Sequence, residues 1–213
     1  MGLLSRALSG LLDLLAPPAC LACDAPASGK PFCPACWAPV TLSKPARLES
    51  APLIVLGAYR PPLSTAIVRF KYQGRPELSR PLARMLAPVL DEAALSSDVS
   101  FVPVPLHPRR LATRGYNQAA LLAQELAALR QRNCHPRLLR RVRETEQQVG
   151  KSLSERRQNP DGAFVLRRAG PTRVVLVDDV VTTGATVRAC AQALAAGGIE
   201  LSAVVALAHA EQS

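Results

Sequence analysis

The sequence predicts an α/β fold in which helices flank a mostly parallel sheet, with a small cysteine-rich module at the N-terminus. One observation is the nearly pure β-branched run Arg173–Val177, which is typical of a parallel strand buried on both faces. Another is that strand-like and helix-like stretches alternate from residue 53 onward. The third is a pair of C-x₂-C motifs within residues 20–36. We therefore predict a module over residues 1–48 and an α/β domain over residues 49–213.

The composition suits one ordinary domain with a small appendage. Of the 213 residues, 48% are hydrophobic and 4% are aromatic, so a substantial core would consist mostly of Leu, Val and Ala. The formal net charge of +10 favours anionic partners such as nucleic acid, phosphorylated metabolites or acidic membrane surfaces. Many soluble proteins are equally basic, so the charge alone does not choose among these partners.

Residues 1–19 are apolar and rich in leucine, with Arg6 near the start. A signal peptide is one interpretation, but Asp13 interrupts the apolar stretch, and two prolines stand where small residues should precede cleavage. The stretch is also too short to span a bilayer. Its apolar spacing fits an amphipathic helix that docks on the rest of the protein. We therefore expect a cytoplasmic protein without stable membrane insertion.

Four of the six cysteines form two C-x₂-C motifs that are separated by nine residues. Two such motifs bring four thiolates into the tetrahedral arrangement that Zn²⁺ prefers in closed structural sites. Zinc affinity becomes folding free energy, which would offset the weak core of so short a segment. Disulfides are the alternative, and a cytoplasmic location disfavours them. The predicted ligands of this structural zinc ribbon are Cys20, Cys23, Cys33 and Cys36, with Trp37 packing over the site.

A linker, a strand and two helices are predicted after the cysteines. Residues 38–50 contain two prolines and indicate the linker. The strand is expected over Leu53–Tyr59, and the helices over Leu63–Phe70 and Glu77–Leu90, although two internal prolines leave the limits of the second helix open. Lys71 could touch a ligand, but we expect it to be an ordinary surface lysine.

A cluster of basic residues follows the apolar run Phe101–Leu106. Three arginines between that predicted strand and a helix predicted over Asn117–Arg130 would form an anion-receptive loop. In the helix, Leu122, Leu126 and Leu129 should lie on one face. The functional interpretation is a pyrophosphate-binding loop, and the alternative is a solvated basic turn. Its candidate residues are His107, Arg109, Arg110 and Arg114.

Residues 137–157 carry seven basic and three acidic side chains without periodicity. They precede a strand predicted over Ala163–Leu166. A segment of this length without structure inside a compact domain is usually functional or disordered. It could close as a lid over a phosphorylated substrate and exclude water, with Lys151 and Arg156 as flexible-loop candidates. It could equally contact nucleic acid through phosphate neutralisation, although the scarcity of aromatic residues argues against base stacking.

Two adjacent carboxylates, Asp178 and Asp179, follow the β-branched run at its carboxyl end, where open α/β sheets place their ligands. A Thr/Gly loop then leads to a helix predicted over Val187–Ala196, with Thr186 as its N-cap. The unpaired N–H groups and the dipole at such a helix N-terminus suit a phosphate. The phosphate-binding candidates are Thr182, Thr183, Gly184, Ala185 and Thr186.

A ribose 5-phosphate matches both parts of this motif. The carboxylates would repel a bare phosphate, so the ligand should also carry vicinal hydroxyls that donate to them. One alternative is a solvated turn in which the acids cap the helix. Another is a Mg²⁺ site of the receiver-domain kind, which would not need the Thr-rich cradle. The sequence contains neither a P-loop motif nor a dinucleotide fingerprint.

Beyond this motif, residues 201–207 are predicted to close the sheet. We interpret the isolated Cys134, Cys190, His135 and His209 as packing or surface residues.

The run Val174–Thr186 resembles the phosphoribosyl pyrophosphate loop of type I phosphoribosyltransferases. By that likeness Asp178 and Asp179 hold the ribose 2′ and 3′ hydroxyls, and residues 182–186 hold the 5-phosphate. Taken in order, nearly the whole chain resembles the ComF (competence protein F) family. The matching features are the paired C-x₂-C with Trp37, Phe70-Lys71-Tyr72 with Gly74, Val102–His107, Arg114–Gln118, Gln147, Arg156, Asn159, Phe164 and the acidic loop.

The resemblance implies a zinc ribbon joined to a type I phosphoribosyltransferase fold, and a role in DNA uptake during natural transformation. One hypothesis is therefore a candidate phosphoribosyltransferase, or a ligand-regulated protein, that binds Mg²⁺–phosphoribosyl pyrophosphate. Pyrophosphate would leave from C1 of the ribose, stabilised by Arg109, Arg110 and Arg114, and Mg²⁺ would arrive with the substrate. No residue stands out as a general base. The other hypothesis is a scaffold whose basic loops and ribbon hold single-stranded DNA or a partner such as a helicase.

Overall fold

The computed structural model describes residues 19–40, 46–48, 51–142 and 162–210. These residues form an α/β structure in which helices flank a mostly parallel six-stranded sheet, as predicted. A separate two-stranded sheet lies beside it. The strands are β1 (Ala46–Leu48), β2 (Ala51–Ala58), β3 (Ser100–Pro103), β4 (Leu139–Arg141), β5 (Phe164–Leu166), β6 (Arg173–Val177), β7 (Val180–Val181) and β8 (Glu200–His209).

The helices of the described residues lie close to their predicted positions where hydrophobic spacing was clear. They are α1 (Pro34–Trp37), α2 (Leu63–Tyr72), α3 (Ser79–Glu92), α4 (Pro108–Arg114), α5 (Gln118–Arg130) and α6 (Ala185–Ala196). A single 3₁₀ turn, Pro76–Leu78, precedes α3. The second proline of α3 lies inside the helix without ending it.

The strand order in the large sheet is β1-β2-β8-β6-β3, and β7 adds to the end of β8. All neighbours are parallel except β1, which pairs antiparallel with β2. The last strand was expected to close the sheet, but β8 lies between β2 and β6 and is fully buried over residues 203–208. That expectation was wrong because the order of parallel strands depends on the crossover connections and not on their order in the chain.

The core has two parts because successive residues of a strand point to opposite faces of the sheet. Val175 and Val177 of β6 face one core cluster together with α2, α3 and α5. Val174 and Leu176 face the other cluster, which contains α6 and the β4–β5 pair. The nearly pure apolar run of β6 is therefore buried on both faces of the sheet, as the sequence predicted.

Three of the predicted irregular segments contain regular structure, and in one of them, residues 137–157, the strand β4 forms at residues 139–141. Residues 46–48 of the expected linker form β1, which gains a ladder with residues 51–53 of β2. The expected loop between β3 and α5 contains α4. Proline at the first position of α4 is compatible with a helix start, because the N–H that it lacks would be unpaired there. Most of the predicted N-terminal amphipathic helix (1–19) and residues 143–157 of the predicted lid (137–157) lie outside the described residues.

The three leucines that share one face of α5 are not equally buried. Leu122 and Leu126 are completely buried, whereas Leu129 is 38% exposed. Leu129 lies on the same side of the helix but in its last turn, beyond the packed part of that face. Apolar spacing identifies a helical face without showing how far its packing extends.

This difference predicts unequal effects of the same substitution. Leu126→Ala should lower the free energy of unfolding by about 2–5 kcal/mol, because it removes buried methyl groups and leaves a cavity. Leu129→Ala, the matched control in the same helix, should lower it by less than about 1 kcal/mol. Urea unfolding followed by circular dichroism measures both values, and equal losses would contradict the burial described for α5.

Candidate functional site

A polar cleft opens where the carboxyl ends of β3 and β6 meet the N-terminus of α6. Residues from five parts of the chain line it, which places it at the edge of the sheet where ligands of α/β proteins bind. The polar and charged lining residues are Lys71, Tyr72, Arg110, Arg114, Asn117, Gln118, Arg141, Asp178, Asp179 and Thr186.

The acidic pair is held rigidly at the end of β6. The Asp178 N–H donates to the Val205 carbonyl at 2.9 Å, and the Asp179 carbonyl accepts from the Leu207 N–H at 3.1 Å. Both bonds fasten the acidic turn to the central strand β8. The Asp178 carboxylate accepts a further bond from the Asp179 N–H at 2.8 Å. The two side chains therefore project into the cleft from a fixed backbone.

Lys71 supplies the counter-charge for this pair. Its Nζ lies 2.8 Å from Oδ1 of Asp179, and the two side chains are only 16% and 11% exposed. The expectation of a surface lysine was wrong. The helix α2 continues two residues beyond its predicted end, through Tyr72, and its last turn carries Lys71 to the cleft.

Burial and neighbouring charge act together on the pKa of Asp178 and against each other on the pKa of Lys71. Burial raises the pKa of Asp178 to about 7, and the negative charge of Asp179 adds to the effect. Burial disfavours the ammonium of Lys71, but attraction to Asp179 and Asp178 raises the pKa of Lys71 above its ordinary value. The cleft thus holds one carboxylate that is neutralised by Lys71 and a second that is costly to ionise.

The Thr/Gly loop enters α6 differently from the prediction. Gly184, with φ of +75°, occupies the N-cap position, whereas Thr186 lies within the first turn and lines the cleft. Glycine suits this position because left-handed backbone strains other residues, and a Cβ here would lie 2.6 Å from Leu48 of β1. Thr183 accepts from the Ala185 N–H at 3.4 Å, and Thr182 is exposed. The predicted side-chain cap at Thr186 was wrong.

The basic candidates separate into two groups. Arg110 and Arg114 of α4 line the cleft, and the Arg114 guanidinium lies 4.6 Å from the ring centre of Tyr72. His107 instead accepts from the Arg109 N–H as the N-cap of α4. Arg109 is exposed and is not among the lining residues. The remaining candidates, Lys151 and Arg156, lie outside the described residues.

Sequence reasoning missed two cations at the site, Lys71 and Arg141. Arg141 is 9% exposed, lines the cleft from β4 and lies over the Phe164 ring at 5.4 Å. Arg141 lies within a run of three arginines broken only by Val142, so no local signal separates it from its neighbours. For Lys71 the usable signal was its position directly after the predicted helix Leu63–Phe70, because a short continuation of that helix carries it to the cleft.

The four predicted metal ligands converge. The Sγ atoms of Cys20, Cys23, Cys33 and Cys36 all lie within 4.8 Å of one another, and Cys23 and Cys33 are 3.7 Å apart. Thiolates bound at about 2.3 Å to a tetrahedral Zn²⁺ would be separated by roughly 3.8 Å, so the group fits a metal such as zinc. None of the described cysteines forms a disulfide.

The cysteines of this cluster have different surroundings, which shift their pKa values in different directions. Burial opposes the ionisation of Cys20, yet backbone N–H donors lower its pKa to about 6, whereas burial raises the pKa of Cys36 to about 12. The centre of the Trp37 ring lies 6.5 Å from that of Phe32, and Trp37 remains 48% exposed.

The chain resembles proteins that are named for competence and for DNA utilisation. It is 38% identical over 166 residues to Competence protein F of Haemophilus influenzae, covering 74% of this chain and 72% of the relative. It is 34% identical over 194 residues to DNA utilization protein YhgH of Escherichia coli K12, covering 84% and 85%. Competence protein ComFC of Bacillus subtilis is 27% identical over 143 residues, covering 64% and 55%. No protein-family model matches the chain.

In the part of the chain that the structure covers, every helix is too short or too polar to cross a membrane.

The raised pKa of Asp178 predicts that this side chain destabilises the empty protein at neutral pH. Its folded pKa of about 7 exceeds the unfolded value, so its contribution to stability is greatest below about pH 4 and is lost as the pH rises to about 7. Asp178→Asn should therefore increase the free energy of unfolding at pH 8, by about 1–3 kcal/mol. The gain should shrink by more than half at pH 5.

Urea unfolding at pH 5, 6.5 and 8 measures this dependence. Glu92→Gln is the matched control, because it removes an exposed carboxylate from α3 and should change the free energy of unfolding little at any pH. An Asp178→Asn variant that is less stable than the wild type at pH 8 would contradict the prediction.

Proposed function

The chain belongs to the ComF (competence protein F) family, and on that basis we propose that its cleft binds Mg²⁺–phosphoribosyl pyrophosphate within a type I phosphoribosyltransferase fold. We propose further that the protein acts in the cytoplasm, in DNA uptake during natural transformation, because the relatives are named for competence and DNA utilisation. The observation that supports this ligand is that the acidic pair after β6 shares one cleft with Thr186 of the first turn of α6 and with Lys71, Arg110 and Arg114.

The ribose is the part of the ligand that explains the acids. Asp178 and Asp179 are acceptors on a fixed backbone, and vicinal hydroxyls are the neutral donors that fit two adjacent carboxylates. Neutral donors also ease the burial of Asp178, because hydrogen bonds to the charged form favour it. A purely anionic ligand would instead add repulsion at this point. The sugar therefore belongs at the end of β6.

The 5-phosphate is assigned to the start of α6. This helix has 12 residues, and its first N–H groups and its dipole favour an anion. The left-handed Gly184 allows a close backbone approach, and Thr186 lines the cleft beside the acids. Thr182, Thr183 and Ala185 complete this proposed phosphate site.

The pyrophosphate is assigned to the cations of the cleft. Lys71, Arg110 and Arg114 line it, and Arg141 adds positive charge near Asp178. Mg²⁺ would arrive on the pyrophosphate oxygens and neutralise part of their charge. Arginine suits this position, since its planar fork pairs with two phosphate oxygens at once. Stabilisation of the departing pyrophosphate is the contribution that these cations would make to pentosyl transfer.

The cysteine cluster is proposed to hold one structural Zn²⁺. Four thiolates fill a tetrahedral site and leave no open position for substrate. The metal would then stabilise the fold and would take no part in the chemistry of the cleft.

Ligand binding is tested by titration calorimetry of the zinc-loaded protein with Mg²⁺–phosphoribosyl pyrophosphate. We expect saturable binding by the wild type, and at least a tenfold loss of affinity in Asp178→Asn/Asp179→Asn, because each neutral amide has one acceptor oxygen where the carboxylate has two charged ones. Asp91→Asn/Glu92→Gln is the matched control, since it changes an adjacent, exposed acidic pair on α3. Absence of binding by the folded, zinc-loaded wild type would exclude the proposed ligand.

A second candidate function is the binding of single-stranded DNA, and a specific surface favours it. Four exposed arginines lie on or beside the β4–β5 pair, and two of them belong to the segment 137–157 that was predicted to contact nucleic acid. They bring a dense positive charge to one side of a chain whose net charge is +10. Arginine side chains that neutralise phosphates can bind nucleic acid of any base sequence. The four residues are Arg137, Arg140, Arg167 and Arg168.

This surface predicts a salt-dependent interaction that is separable from the cleft. Arg137→Gln/Arg140→Gln should weaken binding of a fluorescent oligonucleotide and lower the slope of log affinity against log salt by about 1–2. The matched control Arg80→Gln/Arg84→Gln, at exposed positions of α3, should leave the slope unchanged. Fluorescence anisotropy at 50–300 mM salt measures the slopes. Equal slopes for wild type and the Arg137/Arg140 variant would remove this surface from consideration.

A further inference from the structure

The cysteine module shares its core with the helix that carries Lys71. Its buried side chains include Leu21 and Phe32, and they belong to the same apolar cluster as Ile67 and Phe70 of α2. A module that folded independently of α2 would not need to share buried side chains with that helix. The packing therefore makes the position of α2 depend on the folded shape of the module.

A buried arginine adds a directional contact to this packing. Arg69 of α2 is 9% exposed, and its guanidinium donates to the Leu21 carbonyl at 3.2 Å and to Asp24 Oδ2 at 2.5 Å. Both acceptors lie in the turn around the first C-x₂-C motif, which the Asp24 N–H closes on the Cys20 carbonyl at 3.1 Å. We call these three residues, Arg69, Leu21 and Asp24, the Arg69 junction.

The Arg69 junction can form fully only when that turn is closed. The carbonyl of Leu21 and the carboxylate of Asp24 reach one guanidinium because the backbone between them turns back, with Asp24 at φ of +61°. The ligands Cys20 and Cys23 lie in this same turn, so metal ligation would hold it closed. Without these acceptors Arg69 would be buried without hydrogen bonds, which is costly enough to move it toward solvent.

The other side of the same helical turn is fastened to the cleft. The Phe70 carbonyl accepts from the Tyr116 hydroxyl, and the Lys71 carbonyl accepts from the Gln118 amide at 3.3 Å. Gln118 in turn accepts from Arg114 at 3.2 Å, and Lys71 pairs with Asp179. Three consecutive residues of α2 thus contact the module on one side and the charged walls of the cleft on the other.

We propose that Arg69 is a positioning residue that couples the cysteine module to the cleft, so that metal bound by the four thiolates and an anionic sugar phosphate bound at the acids strengthen each other. The ligand part of this inference rests on the proposed function. Arg69 acts through Lys71, whose distance from Asp179 it sets, and it has no contact of its own with the cleft ligand. Coupling between two sites is reciprocal, so it can be measured from the metal side.

The experiment measures zinc affinity of the full chain by competition with a zinc-selective chelator, with and without saturating Mg²⁺–phosphoribosyl pyrophosphate. In the wild type the ligand should tighten zinc binding about fivefold or more, the lower range of allosteric coupling. In Arg69→Gln the ratio of the two affinities should fall to about one. The matched control Arg84→Gln, which makes the same change at an exposed position of α3, should keep the wild-type ratio.

Asp24→Asn provides a second variant in case Arg69→Gln does not fold. Asparagine tolerates the left-handed backbone of this position, so the variant removes the charge alone, and it too should lower the ratio. If the coupling runs through the Arg69 junction, the double variant Arg69→Gln/Asp24→Asn should lower the ratio of the two zinc affinities no further than the single variants do. A wild type that binds the ligand without any change in zinc affinity would overturn the proposal. A ratio of zinc affinities that stays at the wild-type value in both single variants would also overturn the proposal.

A ligand-independent measurement separates failure of this inference from failure of the proposed function. Calorimetry decides whether the wild type binds the sugar phosphate at all. If it does not, hydrogen exchange of the zinc-loaded, ligand-free proteins decides the role of Arg69. The last turn of α2 should then exchange at least about tenfold faster in Arg69→Gln than in Arg84→Gln, with α6 unchanged. Equal exchange in that turn would overturn the inference.

Discussion

Two carboxylates side by side at the end of a buried strand impose the electrostatic constraint on which the rest of the site depends. Water cannot solvate both fully at the end of β6, and like charges at this spacing oppose each other's ionisation. The structure responds with a lysine on one acid, a nearby arginine and backbone donors. The remaining unfavourable energy is the kind that a bound ligand can relieve, and functional sites commonly retain it at the expense of stability.

The parallel sheet determines which residues can satisfy that constraint. Every parallel strand ends at the same edge, so the segments that follow β3 and β6 meet there although they are far apart in the chain. The cations come instead from the end of α2, from α4 and from β4. Because α2 also packs on the cysteine module, the module and the cleft belong to one continuous hydrophobic core. Packed atoms, rather than solvent, therefore connect the turn around Asp24 with Lys71.

Prediction from sequence succeeded where a local pattern determines the structure. The β-branched run of β6, the two C-x₂-C motifs and the helix over residues 118–130 were all identified, since their periodicity or spacing has one main physical cause. It failed where a local pattern permits two outcomes. A short segment with two prolines can be a linker or, like β1, an edge strand. A loop that leads into a helix can use a threonine cap or, as at Gly184, a left-handed glycine that packs against that edge strand.

The sequence by itself determined the chemical character of the sites: paired acids at a strand end, a Thr/Gly entry to a helix, and four thiols at metal-binding spacing. These features depend on residues a few positions apart, whose relative placement the backbone geometry restricts. Only the tertiary structure decided which cations face the acids, and that one arginine of α2 contacts the cysteine module while the lysine two residues later contacts Asp179. Such pairs join residues far apart in the chain, and their meeting depends on strand order and helix packing, which no local spacing encodes.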